Sequence, residues 1–98
     1  MSRTPEGKVK DKVTRLLREA SVYYFFPATG GLGRSGVPDI VACVRGKFVG
    51  IECKAGKNKP TPLQLRELRA IEAAGGTSII VNEEKLELIA ALLSKKGE

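Results

Sequence analysis

The fold is decided by residues 37–54, which read VPDIVACVRGKFVGIECK. Ile40 to Val44 and Phe48 to Cys53 are rich in β-branched and other apolar residues, a composition that predicts two strands. Gly46-Lys47 separates them, and glycine at the first turn position favours a two-residue type II′ turn. The segment is therefore predicted to be a β-hairpin.

The turn determines which residues face each other across the hairpin. With Gly46-Lys47 as the loop, Lys54 lies opposite Asp39 and Glu52 lies opposite Val41. Because opposed residues share a face, and so do alternate residues along a strand, Asp39, Glu52 and Lys54 are predicted to project from one side of the sheet. In this register Asp39 and Glu52 are diagonal neighbours. Diagonal Cβ atoms lie roughly 7–8 Å apart, a separation that suits one metal ion between these two carboxylates. The alternative is a plain Lys54–Asp39 salt bridge.

The flanking sequence predicts the remaining helices and strands. Thr4-Pro5 and Thr61-Pro62 each place an N-cap residue before a proline, and apolar residues recur at helical spacing after both. The first helix runs to about Ala20, and the second ends at Gly75-Gly76. The other elements are strands at Val22 to Phe26 and Thr77 to Val81 and a closing helix from Leu86 to Leu93. The predicted order is αβββαβα, a mixed α/β domain spanning residues 1–98.

Composition excludes several kinds of chemistry. The formal charge of +6 and the pI of about 9.6 suit a polyanionic partner such as nucleic acid, or else a surface of solvated lysines. The chain has no histidine and two cysteines, Cys43 and Cys53, which argues against a disulfide framework, a zinc site and a Ser-His or Cys-His pair. No apolar run approaches the roughly 18–20 residues of a membrane span, and the first residues are polar, so a cytoplasmic location is expected in a bacterial or phage-infected cell.

Pro38-Asp39 followed by Glu52-Cys53-Lys54 resembles the PD-(D/E)xK motif of restriction-endonuclease-like nucleases. The wider context resembles the VRR-NUC family, in the stand-alone form found in phages and bacteria. That likeness rests on Ser35 to Ile40, on Gly50 to Lys54, and on Thr61 with Gln64 at the start of a helix that ends in Gly75-Gly76. It implies a restriction-endonuclease-like α/β fold, with a mixed central sheet flanked by helices, and metal-dependent phosphodiester hydrolysis.

The resemblance also implies a role for each motif residue. Asp39, Glu52 and the main-chain carbonyl of Cys53 are the expected ligands of Mg²⁺ or Mn²⁺. The metal polarises the scissile phosphate and acidifies a bound water. Lys54 is expected to orient that water or to offset negative charge on the phosphorane.

Two further residues match the family pattern, and each has a plainer interpretation. Glu6 corresponds to a first-helix glutamate that reaches the metal, but a carboxylate is also favourable at a helix N-terminus. Gln64 matches a glutamine that could orient a phosphate or a water, but it could equally be an ordinary polar residue in a first helical turn.

A glycine-rich loop, Thr29 to Pro38, precedes the hairpin. Its segment Gly31 to Gly36 fits G-x-G-x-x-G, yet a strand follows where a dinucleotide site needs a helix, so no nucleotide cofactor is expected. We expect this loop to lie beside the metal site. The candidate DNA-backbone contacts are Arg34, Ser35, Lys57 and Lys59.

The expected function is a structure-selective DNA endonuclease, a Holliday junction resolvase as the resemblance implies. The alternatives are a nuclease acting on flaps or ends and a non-catalytic DNA-binding module. A folded monomer of this mass exposes only about 5,400 Å², and a specific DNA interface takes about 1,000–2,500 Å². Because a junction also needs two symmetric cuts, a homodimer is predicted. Its candidate interfaces are the aromatic strand Tyr23 to Phe26 and the closing helix near Leu88 and Leu92.

Overall fold

The computed structural model describes residues 4–28 and 33–94. Residues 29–32, part of the predicted glycine loop and of its G-x-G-x-x-G segment, lie outside the described residues. The predicted order αβββαβα is confirmed. The elements are α1 (Pro5–Glu19), β1 (Tyr23–Phe25), β2 (Ile40–Val44), β3 (Lys47–Cys53), α2 (Pro62–Ala73), β4 (Thr77–Val81) and α3 (Glu87–Ser94).

The first two helices begin at the predicted caps. The hydroxyl of Thr4 accepts a hydrogen bond from the Gly7 backbone N–H at 3.0 Å, and the hydroxyl of Thr61 accepts one from the Gln64 N–H at 3.2 Å. Each cap satisfies a backbone donor that has no partner within the helix, and a proline follows at the first helical position.

The strands form a mixed sheet in the order β1-β2-β3-β4, as the resemblance implied. The two pairs that involve β2 are antiparallel, whereas β3 and β4 are parallel. Helices α1 and α3 cover one face and build the core against alternate strand residues. The buried cluster comprises Val9, Val13, Leu17, Ile40, Ala42, Val44, Val49, Ile51, Cys53, Val81 and Ile89.

The hairpin turn differs from the prediction. Val44 pairs with Lys47, so the two loop residues are Arg45 and Gly46, with φ of 50° and 82°. Positive φ at both central positions is the type I′ turn, whose twist matches that of the flanking strands. Arg45 is held in this unusual conformation by a tertiary contact. Its guanidinium donates to the carbonyl oxygens of Leu92 and Leu93, at 2.8 and 3.3 Å, at the end of α3.

The predicted pairings across the hairpin, Lys54 with Asp39 and Glu52 with Val41, are therefore wrong. The ladder pairs Ile40 with Ile51, and its continuation by one residue sets Asp39 opposite Glu52. The error amounts to two residues, and the side-chain period of a strand is two, so the faces are unchanged. Asp39, Glu52 and Lys54 still belong to one side of the sheet.

The side of the sheet that carries Asp39, Glu52 and Lys54 lies opposite α1 and α3, and it is only partly covered by a helix. Helix α2 packs over β3 and β4, while the part formed by β1 and β2 is open. We call the apolar residues there the sheet-face patch; Tyr23, Phe25, Cys43 and Phe48 are exposed, and Val41 is half-buried. A cavity of about 580 Å³ separates the patch from α2. Within the described residues, no helix is both long and apolar enough to cross a membrane.

Candidate active site

Asp39 is fixed directly before β2 by a bond to the neighbouring strand. Its Oδ2 accepts a hydrogen bond from the backbone N–H of Cys53 at 2.8 Å. Pro38 precedes it and restricts the residue before the proline, Val37, to extended backbone, which suits the entry into the strand. The bond ties Asp39 to the Glu52-Cys53-Lys54 segment of the motif, and it holds the Asp39 carboxylate at the carboxyl end of β3.

Glu52 is a buried carboxylate with incomplete partners. The residue is 1% exposed, its Oε2 lies 3.4 Å from Nζ of Lys54, and its Oε1 has no hydrogen-bond partner among the described residues. Lys54 is itself 9% exposed. Burying a charged oxygen without a partner is costly, so this oxygen marks a place where a cation or a proton is needed.

The electrostatics of the pair agree with that conclusion. Burial, and then the negative charge of Asp39, raise the pKa of Glu52 from 4.5 to about 7, although Lys54 opposes the shift. Burial also raises the pKa of the Cys53 thiol to about 12, with Asp39 and Glu52 adding to the effect. The Cys53 side chain belongs to the apolar core, on the opposite face of the sheet from Glu52, so its sulfur does not join the two carboxylates.

The donor set fits a hard divalent cation with few protein ligands. No group of three or more metal-binding side chains occurs in residues 4–28 and 33–94. Asp39 and Glu52 nevertheless bring two carboxylates together, and one of their buried oxygens lacks a partner. Mg²⁺ commonly takes only one or two carboxylates and keeps several waters. The Cys53 carbonyl and Glu6 remain predicted as the further ligands.

Comparison with known proteins places this geometry in a family. No family model matches the chain. A phage protein named "Putative nuclease p44", from Acyrthosiphon pisum secondary endosymbiont phage 1, is 38% identical over 81 residues, which are 82% of this chain and 84% of that protein. A solved VRR-NUC domain superposes with a TM-score of 0.75 at 23% identity, covering 97% of this chain and 100% of that one. A second VRR-NUC domain protein reaches 0.65 at 15% identity, covering 94% and 88% of the two chains.

The chain belongs to the same nuclease family as the phage protein p44, and it has the fold of the VRR-NUC domains. The restriction-endonuclease-like fold is thereby confirmed.

In this chain, Glu6 lies at the edge of the site. Its charge adds to the raised pKa of Glu52, and its Oε2 accepts a weak hydrogen bond from Nδ2 of Asn58 at 3.4 Å. Asn58 was not among the site residues predicted from the sequence. Glu6 stays a predicted ligand, and within the described residues it does not join Asp39 and Glu52 in a three-carboxylate group.

The basic loop after Lys54 is anchored to the end of β4. The backbone N–H of Gly56 donates to the Glu83 carboxylate at 2.9 and 3.1 Å, and Nδ2 of Asn82 donates to the Gly56 carbonyl at 3.1 Å. Lys57 and Lys59 are exposed on this loop. The loop backbone is therefore fixed, while both lysines extend into solvent near the site.

Gln64 closes a helix cap. Its Oε1 accepts a hydrogen bond from the Thr61 backbone N–H at 2.9 Å, which completes a capping box. The amide oxygen of Gln64 thus has a structural role in the first helical turn, in agreement with the plainer of the two interpretations. The Thr-x-x-Gln spacing was a signal for this cap, and the sequence analysis did not use it.

Arg34 lies in an ion pair that the sequence analysis missed. Its Nε and Nη2 donate to the two carboxylate oxygens of Glu67, both at 2.9 Å. The bidentate bond lowers the pKa of Glu67, a buried residue of α2. No local pattern links positions separated by 33 residues. The neighbouring Ser35 is exposed and remains a predicted DNA contact.

Proposed function

We propose that this protein is a divalent-metal-dependent DNA endonuclease that cleaves four-way junctions. The observation that carries the proposal is the Glu52 carboxylate: it is buried, it lies beside Asp39, and its Oε1 has no partner among the described residues. Such an oxygen suits a bound Mg²⁺ or Mn²⁺ and has no evident structural use. The name of the phage relative, a nuclease, supports the same class of activity.

The residues divide the chemistry between them. Asp39 and Glu52 would hold the metal, with the Cys53 carbonyl and Glu6 as further oxygen donors. When bound, the metal polarises the scissile phosphate and lowers the pKa of a coordinated water. Lys54 carries the positive charge that orients the attacking water and offsets charge developing on the phosphate oxygens. Its contact with Glu52 at 3.4 Å keeps the ammonium group at the metal-binding carboxylate.

The positive charge of the protein favours contact with DNA. The net charge of +6 attracts the phosphate backbone, and Lys57 and Lys59 supply mobile charges on a fixed loop beside the site. A non-catalytic DNA-binding module would have no use for two carboxylates held next to the phosphate path. For this reason we favour the nuclease.

The active form is proposed to be a homodimer, since two symmetric cuts need two sites in matching orientation. The sheet-face patch suits a second copy. Tyr23 protrudes with 72% of its surface exposed, and Phe25 and Phe48 on the same face are 46% and 50% exposed. Exposed rings on one face can pack against the same rings of a second copy across a two-fold axis. Among the exposed large hydrophobic residues of the described chain, α3 contributes Leu88, which is 41% exposed.

The test is a cleavage assay on four labelled DNA substrates: a four-way junction, a flap, a linear duplex and a single strand, each with and without Mg²⁺. Paired cuts in the junction that require Mg²⁺ are expected. Preferential cleavage of the flap or of DNA ends would assign the alternative nuclease specificity. Binding without cleavage of any substrate in Mg²⁺ or Mn²⁺ would identify a binding module and overturn the proposal.

A further inference from the structure

Arg34 is an exposed cation held by a buried anion. Its side chain is 73% exposed, whereas that of Glu67 is 8% exposed, and two parallel hydrogen bonds join them. A guanidinium has five N–H donors, and Glu67 takes two of them along one edge. The remaining three, two on Nη1 and one on Nη2, are left for a second acceptor on the solvent side.

The backbone that carries Arg34 is also fixed. Gly36 has a φ of +78°, and a Cβ atom built there would lie 2.6 Å from the Leu63 carbonyl oxygen. Only glycine fits this close approach in this backbone conformation. Leu63 and Glu67 both belong to α2, so one helix holds the loop by its main chain and by its side chain.

This anchored arginine lies close to the active site along the chain. Arg34 and Pro38 line the same cavity, and Pro38 directly precedes Asp39. Its charge is neutralised locally by Glu67, so it contributes little to long-range attraction of DNA. Its contribution to binding comes from its oriented N–H donors, whose planar arrangement matches the oxygens of a phosphate.

We propose that Glu67 is a positioning residue that orients Arg34 to bind a DNA backbone phosphate beside Asp39. The inference rests on the proposed DNA cleavage, and it adds a function for a buried carboxylate that the chemistry does not use. It also predicts an effect of opposite sign to simple electrostatics. Removing an acidic residue from a DNA-binding protein normally strengthens binding, whereas removing Glu67 should weaken it.

The experiment measures the affinity of the full-length protein for a four-way DNA junction in excess chelator, where cleavage is absent. Arg34→Gln should weaken binding by about tenfold, the order expected for a lost charge-assisted contact. It should also lower the slope of log affinity against log salt by about one. Glu67→Gln should weaken binding severalfold, although the protein becomes more positive. The double variant should bind no worse than Arg34→Gln, because both changes remove one contact.

Glu19→Gln is the matched control. It removes the carboxylate from another Arg–Glu pair, Arg15 with Glu19 at 3.1 Å, which is exposed on α1. This variant should bind junction DNA as well as the wild type or slightly better. Thermal unfolding verifies that each variant is folded. Should Glu67→Gln not fold, Arg34→Lys replaces it, since lysine keeps the charge but cannot make the bidentate bond and should still weaken binding.

The outcomes separate the inference from the proposed function. Equal or tighter binding by Glu67→Gln, or an Arg34→Lys protein with full affinity, overturns the role of the pair even if the enzyme cleaves junctions. A wild-type protein that binds junctions without cleaving them in Mg²⁺ or Mn²⁺ refutes the proposed catalysis and leaves the affinity comparison valid. A wild-type protein without affinity for DNA refutes both.

Discussion

Nζ of Lys54 lies 3.4 Å from Oε2 of Glu52, at the end of the central strand, and both residues are almost fully buried. One lysine cannot satisfy a carboxylate that also faces Asp39 and whose Oε1 has no partner among the described residues. The pair is therefore an incomplete salt bridge, which supports the proposed metal site.

Neutral substitutions at the three central residues should separate catalysis from binding. Asp39→Asn, Glu52→Gln and Lys54→Ala are each expected to lower the cleavage rate by at least about a hundredfold, because each removes a charge that acts on the transition state. Junction affinity should persist, since it depends on other basic residues. Single-turnover cleavage and gel-shift assays on one junction measure the two effects. Near-native cleavage by Glu52→Gln would refute the assignment.

The stability of the metal-free protein should fall as pH rises. The pKa of Glu52 is raised in the folded state, from 4.5 to about 7, so the folded state keeps a proton that the unfolded state loses. The stabilisation is thus complete below pH 4.5 and is lost as pH increases through about 7. Its size is roughly 1–3 kcal/mol. Urea unfolding in chelator from pH 5 to 8 should show this decline in the wild type. Glu52→Gln should remove most of it, and an unchanged profile in that variant would contradict the assignment.

Metal ions should act on both activity and stability. Mg²⁺ and Mn²⁺ should support cleavage, whereas Ca²⁺ should bind and turn over poorly, because its loose coordination holds water and phosphate less tightly. All three ions should raise the thermal unfolding temperature at pH 7.5, because a bound cation offsets the negative charge of the deprotonated Glu52 carboxylate. Glu52→Gln should lose that increase. Robust cleavage in excess chelator would rule out the metal mechanism.

Assembly can be tested with one substitution in the sheet-face patch. Tyr23→Lys places a charge on the most exposed of its rings and should convert the dimer to a species of 10.5 kDa in light scattering. Leu88→Lys, at a residue 41% exposed on α3, is the control and should leave the dimer intact. The reverse pattern would move the interface to the closing helix. A wild-type monomer that still makes paired junction cuts would refute the dimer.

Local patterns in the sequence predicted most of the fold. The bounds of β2 and β4 are as expected, and both cap-plus-proline signals start helices. These features depend on neighbours in the chain, where strand propensity, period and capping chemistry apply. The common face of Asp39, Glu52 and Lys54 was also predicted correctly, but only because the register error was an even number of residues.

The features that sequence patterns missed are contacts between distant residues. Arg45 takes a turn position that favours glycine or asparagine, and only its bonds to the end of α3 explain how it does so. The same holds for Arg34, whose acidic partner lies on a different element. The residues next to Arg34 and Arg45 in the sequence do not indicate which distant residues they contact.

The contact between Arg45 and α3 has a consequence for how this domain can change in length. A residue inserted or deleted in the turn would carry Arg45 away from the Leu92 and Leu93 carbonyl groups. If the pairing of β3 shifted by that residue, every side chain of β3 would be reversed, and Glu52 and Lys54 would point into the apolar core. The basic loop from residue 55 to 60 carries no such restriction on the strands. Relatives of this protein should therefore vary in length at that loop and keep a two-residue turn here.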